Sequence, residues 1–259
     1  MEPIRAMLLP GAVLPAELAY AALIEALGPD VEANAKDLEL YVYDKPPADW
    51  SLDTEVEGVV READARGWAT FHLVGYSGGG AVALAFAAKH PERLQSLALL
   101  EPAWAGRWDW SPAHAKVWKD HDALEALPPE EFMKAFMRLA VRPDVVLLPP
   151  QASVPPPWMA KRPAGIMAFV RTFKSYELDR GMLASFDRPV FFALGARSNP
   201  DDYGEIASRL SAVFPDFRLE VFEERHHFDP PHRIEPERLA GLLREHWERA
   251  ASRRPAGAD

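Results

Sequence analysis

At 259 residues the chain can bury one sizeable core, with room for an inserted subdomain. Its 48% apolar and 26% charged residues are the balance of a folded globular protein, not a disordered one. The 29 basic and 39 acidic residues give a net charge of -10 with no long block of one sign, which excludes the basic stripe of a nucleic-acid surface. Cysteine is absent, so neither disulfides nor thiolate metal ligands are available, a composition compatible with the reducing cytoplasm, where the protein is expected. Arg5 followed by Ala6-Met7-Leu8-Leu9 faintly echoes a signal peptide, but Glu2, Pro10-Gly11, Pro15 and Glu17 interrupt it, and no cleaved signal is expected. No run approaches the roughly 18 apolar residues of a membrane span, so no membrane association is expected.

The first two-fifths alternates strand-like and helix-like segments. Ile4 to Leu9 reads as a buried strand ended by Pro10-Gly11, and Pro15 to Leu27 as a helix stopped by Gly28-Pro29. Leu38 to Tyr43 has the alternation of a second strand, and Leu52 to Arg66 that of an amphipathic helix ended by Gly67. Phe71 to Val74 is a third strand, Gly78 to Lys89 an Ala-rich helix, and Ser96 to Leu100 a fourth strand. Strands separated by helices imply an α/β fold: a mostly parallel twisted sheet with helices on both faces.

The alternation breaks between about Pro102 and Ser185. Five of the eight tryptophans lie there (Trp104, Trp108, Trp110, Trp118 and Trp158), with the proline clusters Leu148-Pro149-Pro150 and Pro155-Pro156-Pro157. Helical patterning over Ala115–Leu127, Pro129–Val141 and Pro163–Tyr176 makes residues 102–185 a helical insertion, set in a core formed by 1–101 and 186–250. Most of its aromatics are ordinary core residues, though an aromatic helical lid also suits an apolar substrate pocket. Strands resume at Pro189–Gly195 and Leu219–Phe222, with a helix around Tyr203 to Phe214 between them. A last helix runs from Pro236 to about Arg249, and residues 251–259 read as a frayed tail.

The most informative segment is Gly75-Tyr76-Ser77-Gly78-Gly79, between the third strand and the following helix. A nucleophile held on so sharp a strand-to-helix turn needs neighbours nearly free of side chain. Ser77 could instead be a simple N-cap, and a phosphate loop is excluded because both the G-x-x-x-x-G-K-[ST] lysine and the G-x-G-x-x-G spacing are missing. Serine at the elbow also excludes an aspartate nucleophile.

A serine hydroxyl needs a general base, and in doubly wound sheets the site lies beyond the carboxyl ends of the strands. His72, His90, His114, His121 and His246 fall elsewhere and read as surface or packing residues. His226, His227 and His232 remain, in the loop after the final strand. His226, His227, Asp229 and His232 lie within seven residues, but Pro230-Pro231 breaks any i, i+4 spacing, so a metal site is not expected.

Taken together, the elbow, the later helical insertion and the histidine loop near the end resemble the α/β-hydrolase fold family over essentially the whole chain. That resemblance implies His227 as the base, with His226 one residue early as the alternative. It puts the family's commonest acid in a Gly-x-x-Asp after the next-to-last strand, where this chain has Gly195-Ala196-Arg197-Ser198. Asp201 and Asp202 follow shortly. The acid chosen is Glu101, directly after the fourth strand, where some family members carry it and where a buried carboxylate needs a partner such as imidazole, with Asp201 and Asp202 as the alternatives. The oxyanion hole implied by the family uses the N–H groups of Gly78 and of Ala12, in the Pro10-Gly11-Ala12 turn.

The reading is a serine hydrolase acting on an ester-type bond of a small, fairly apolar molecule through an acyl-enzyme, with no cofactor. Two alternatives stand beside it: a non-catalytic small-molecule receptor on the same fold, to which the serine at 198 lends support, and a cofactor-free lyase or peroxidase using the same residues.

Overall fold

The computed structural model describes residues 3–147 and 155–253. Six strands, β1 (Ile4–Leu9), β2 (Val31–Ala35), β3 (Phe71–Tyr76), β4 (Leu94–Leu100), β5 (Val190–Gly195) and β6 (Phe217–Phe222), form one parallel sheet in the order β2-β1-β3-β4-β5-β6. Each inner strand alternates between two buried faces. Met7, Leu73, Leu97, Leu99 and Phe192 belong to one core, and Leu8, Val74, Ala98, Leu100 and Phe191 to the other.

Helices α1 (Ala16–Leu27) and α10 (Pro236–Ser252) cover the second face through Tyr20, Leu23, Leu239, Leu243 and Trp247. The first face is covered by α2 (Leu52–Ala65), α3 (Gly78–Lys89) and α8 (Glu205–Ser211). Start and stop signals explain the boundaries. Pro15 precedes α1, and Gly28, at φ 68°, ends it. Ser51 opens α2 with a capping box: its Oγ accepts the Asp53 N–H and Thr54 Oγ1 accepts the Ser51 N–H.

The expected second strand is misplaced. The edge strand is Val31–Ala35, whose Val-Glu-Ala-Asn-Ala pattern is only weakly apolar because an edge strand has a neighbour on one side only. Leu38–Tyr43 instead holds a 3₁₀ turn over Glu39–Tyr41, with Leu38 and Leu40 buried. The Glu55 carboxylate of α2 accepts the N–H groups of Glu39 and Leu40 (2.8 Å each) and of the Trp50 indole (2.9 Å). It thus binds the donors a neighbouring strand would have used.

Between β4 and β5 the chain is helical: α4 (Pro112–Ala123), α5 (Pro129–Leu139), α6 (Arg162–Ser175) and the unanticipated short α7 (Arg180–Ala184). The Leu148-Pro149-Pro150 cluster lies outside the described residues. The helix expected over 203–214 is shorter: a turn of π-helix at Pro200–Gly204 leads into α8. A short α9 (Pro231–Ile234) precedes α10, which continues to Ser252, past the expected start of the tail; residues 254–259 lie outside the description. Among the described residues no helix is long and apolar enough to cross a membrane.

The sheet order fixes where a ligand can enter. From β1 the chain crosses to β2 on one side, and from β3 to β4 on the other, so the carboxyl ends of β1 and β3 flank the switch point. The Pro10-Gly11-Ala12 turn and Ser77 sit there.

Replacing Glu55 with alanine leaves three donors, two of them buried, without an acceptor and is expected to lower the unfolding free energy by roughly 3 kcal/mol in urea denaturation, with a smaller loss for Glu55→Gln.

Candidate active site

Ser77 joins β3 to α3 with φ 52° and ψ -118°, a conformation that strains any residue with a Cβ. The surrounding backbone holds it there. The Ser77 N–H donates to the Leu100 carbonyl (3.1 Å), and the Ala103 N–H donates to the Ser77 carbonyl (2.9 Å), tying the elbow to the end of β4. Two glycines permit the approach. A Cβ on Gly75 would stand 2.4 Å from the Gly79 carbonyl oxygen, and one on Gly79 would stand 2.5 Å from those of Leu9 and Pro10. The Gly79 N–H also donates to the Pro10 carbonyl (3.0 Å), fixing the β1 turn against α3.

His227 lies in the loop after β6, and its Nε2 is 3.0 Å from Ser77 Oγ. Its Nδ1 is 3.1 Å from Glu101 Oε2. A carboxylate at Nδ1 assigns the proton to that nitrogen, leaving Nε2 to accept the serine O–H. Glu101 is buried, also with positive φ (46°), and its Oε1 accepts the Gly195 N–H at 2.8 Å. The imidazole stacks on the Tyr203 ring (4.3 Å, 16°), with Phe228 edge-on at 5.2 Å. The Tyr76 hydroxyl donates to the His227 carbonyl. Burial pushes the Tyr76 and Tyr203 phenols well above their usual range, so both remain neutral.

The other candidates are elsewhere. His226 Nδ1 accepts the Phe228 N–H (3.2 Å), away from Ser77, and burial lowers its pKa. Asp229 pairs with Arg225 at 2.7 Å. The exposed Asp201 meets His114 Nδ1 through its carbonyl oxygen (2.9 Å). Asp202 is buried, with Oδ1 3.6 Å from the same His114 nitrogen, and burial pushes its carboxyl up to about 8. Neither aspartate hydrogen-bonds His227. The chain after β5 is drawn toward the insertion instead: Asn199 donates to the carbonyls of Ala140 and Leu139, and Val141 bridges Ser198.

Ser77 opens onto two cavities. One of about 150 Å³ is lined by Gly11, Ala12, Tyr76, His227, Phe228 and Arg233. The other, about 30 Å³, brings Ala12 and Gly78 together with Trp118, His121, Phe169 and Asp202. Gly78, as the first residue of α3, has an N–H without an intrahelical acceptor at the positive end of the helix dipole. A larger cavity of about 660 Å³ beside Trp50, Phe132 and Met167 contains none of Ser77, Glu101 and His227.

Two side chains here carry no distinguishing signal in the sequence: Tyr203, which stacks on His227 from the π-helical turn before α8, and His121, whose position reads as surface or packing but which lines the 30 Å³ cavity. Asp202, a candidate acid in the sequence, lines that cavity too. Among the described residues no group of three or more His, Cys, Asp or Glu is arranged to hold a metal ion.

A model of the α/β hydrolase fold family matches residues 44–230. The chain is 27% identical over 156 residues to the carbamate-hydrolase candidate RutD of Caulobacter segnis, covering 59% of this chain and 51% of that protein. It is 35% identical over 75 residues to the lipase LipV of Mycobacterium tuberculosis, covering 29% of each. The matches thus span about half the length of the first relative and under a third of the second. Among solved structures, a bacterial membrane phospholipase A is similar at TM-score 0.71 and 23% identity, over 96% of this chain and 80% of that one, a likeness of fold alone.

His232 sits between Tyr20 (5.0 Å) and Tyr76 (4.6 Å), with no hydrogen-bond partner on either ring nitrogen. Burial drives its pKa down to about 3. The unfolded chain binds a proton there below about pH 6.5 and the folded chain does not, so this residue's contribution is intact above that pH and lost as pH falls toward 3. His232→Phe is expected to raise the unfolding free energy in urea denaturation relative to wild type increasingly below pH ~6.5, by up to about 1.4 kcal/mol per pH unit.

Proposed function

The chain belongs to the α/β-hydrolase fold family, and from that premise we propose that it is a serine hydrolase cleaving an ester-type bond of a small, fairly apolar molecule through an acyl-enzyme. The observation that carries this reading is the continuous line from Glu101 Oε2 through His227 to Ser77 Oγ, with separations of 3.1 and 3.0 Å. In the proposed reaction His227 Nε2 takes the Ser77 proton as Oγ attacks the carbonyl carbon. The N–H groups of Ala12 and Gly78 hold the oxyanion, and Glu101 orients the imidazole and stabilises its charged form. His227 then gives the proton to the departing alcohol. Water, deprotonated by the same imidazole, hydrolyses the acyl-enzyme and restores Ser77.

The scheme needs no cofactor. Residues 102–185 act in it as a lid over a core formed by 1–101 and 186–250, and Trp118, Phe169 and Phe136 favour an apolar substrate. The two named relatives, a carbamate-hydrolase candidate and a lipase, are consistent with hydrolysis of a carbonyl-containing bond. The absence of cysteine fits action in the cytoplasm. The receptor reading drew on the serine at 198, and it weakens once Glu101 reaches His227.

A fluorophosphonate probe should label wild type at Ser77 and leave Ser77→Ala unlabelled; no labelling of wild type would overturn the hydrolase reading. On a short-chain chromogenic ester, Ser77→Ala should lower kcat by about 10⁴-fold or more, and Glu101→Gln by about 10²- to 10⁴-fold. Asp201→Asn, altering an exposed side chain, should stay within about threefold of wild type.

A further inference from the structure

We infer that Asp202 is a specificity-determining residue of the Ser77 cavity, hydrogen-bonding a neutral oxygen (keto, ether or hydroxyl) carried by the substrate away from the scissile bond. The inference rests on the serine-hydrolase reading and narrows its substrate class. Asp202 is 2% exposed, yet it lines the same cavity as Ser77, Gly78 and Ala12. Its Oδ1 has no hydrogen-bond partner. That oxygen is 3.6 Å from His114 Nδ1, beyond hydrogen-bond reach, and a buried carboxyl in the wall of the Ser77 cavity without a donor needs an explanation, since such groups are ordinarily satisfied.

Each neighbouring charged or titratable group is already committed elsewhere. On α4, His114 directs Nδ1–H to the Asp201 carbonyl, and its Nε2 accepts from the Trp118 indole (3.1 Å), with Arg209 Nη2 at 3.4 Å. Donors on Nε2 and an acceptor at Nδ1 hold His114 neutral, and burial lowers its pKa as well. His121, also on α4, donates Nδ1–H to the Val117 carbonyl and is likewise lowered by burial. On α8, Arg209 gives Nη1 to the carbonyls of Ala105, Gly106 and Trp108, while Glu205 accepts the N–H and O–H of Ser111. Glu101, after β4, adds a like charge, and Tyr203 is neutral.

Asp202 therefore gains no ion pair sufficient to offset burial, and its carboxyl, raised to about 8, carries its proton at neutral pH. A carboxylic acid kept neutral in an apolar site is a strong hydrogen-bond donor. Away from Ser77, Gly78 and Ala12 the surrounding wall is mostly apolar (Trp118, Phe136, Ile166, Phe169 and Phe173), with Tyr203 and His121 the other side chains there that carry polar atoms. A site built to hydrogen-bond such an oxygen discriminates against the analogue that lacks it.

The test compares matched ester pairs. In one pair the acyl chain carries a keto oxygen (p-nitrophenyl 4-oxopentanoate against the hexanoate), and in the other the alcohol carries an ether oxygen (2-methoxyethyl against n-butyl butyrate). The readout is the kcat/KM ratio within each pair, corrected for the uncatalysed hydroxide rate. Wild type should favour the oxygenated member of at least one pair by about tenfold at pH 7, and the ratio should fall as pH rises through about 8. Asp202→Asn, which keeps an N–H donor without a titrating proton, should retain a preference independent of pH over that range. Asp202→Leu should lose it. A wild-type ratio near one in both pairs overturns the inference while leaving the hydrolase reading standing, as does a ratio unchanged in Asp202→Leu. No turnover of any ester together with no fluorophosphonate labelling fails the hydrolase reading, and this inference with it.

Discussion

Everything at the switch point depends on how closely α3 approaches the strands that deliver it. The Gly75 Cα lies against the Gly79 carbonyl, and Gly79 lies against the carbonyls of Leu9 and Pro10, with no room for a Cβ at either position. That contact does three things together. It turns the chain sharply enough to hold Ser77 at positive φ, it sets the N-terminus of α3 beside the serine, and it anchors the Pro10-Gly11-Ala12 turn through the Gly79 N–H. The proposed oxyanion donors are thereby fixed relative to the proposed nucleophile by backbone, which reorganises little. The cost is local strain, held by α3, buried from Gly78 to Ala88, and by the Ser77 backbone bonds to Leu100 and Ala103.

Three buried carboxyls follow from this frame, and their surroundings divide them. Glu55 accepts three N–H groups and organises a turn. Glu101 accepts the Gly195 N–H on one oxygen and faces the His227 ring with the other. Asp202 has an oxygen with no donor. Burial raises the carboxyls of both Glu55 and Asp202, but at Glu55 the three N–H donors oppose that rise, and at Asp202 no such donors do. The same functional group thus clasps a turn at Glu55, faces an imidazole at Glu101 and, in the proposed role, donates at Asp202, and the neighbouring N–H groups divide the three.

The sheet and most of its helices were legible because the inner strands are apolar on both faces and the helices carry local stop and start signals: Gly28 after α1, Ser51 before α2. The edge strand was not. Val31–Ala35 lacks a hydrophobic run, while Leu38–Tyr43 has one, and only the tertiary reach of Glu55 from α2 turns that second segment away from the sheet. At the candidate site, Ser77 announces itself by its glycines and His227 by its position after the last strand. Glu101 is favoured in the sequence by the apolar strand it follows, but what separates it from Asp201 and Asp202 is where the chain goes after β5. Asn199 and Val141 decide that direction by pairing across to the insertion, and neither residue carries a local signal of it.

That detour explains how Glu101 and Asp202 come to occupy such different environments. Because the Ala140–Val141 stretch captures the segment after β5, Ser198 is buried in the position where a Gly-x-x-Asp acid would stand, and the two aspartates are carried past it. The space beside His227 Nδ1 then falls to the neighbouring strand end, where Glu101 is already bridged to β5 through the Gly195 N–H. Asp202, displaced toward α4, meets His114, whose nitrogens are committed to Asp201 and Trp118. A carboxylate facing His227 from the end of β4 and an unsatisfied acid in the cavity wall are therefore two consequences of one pairing between the insertion and the sheet.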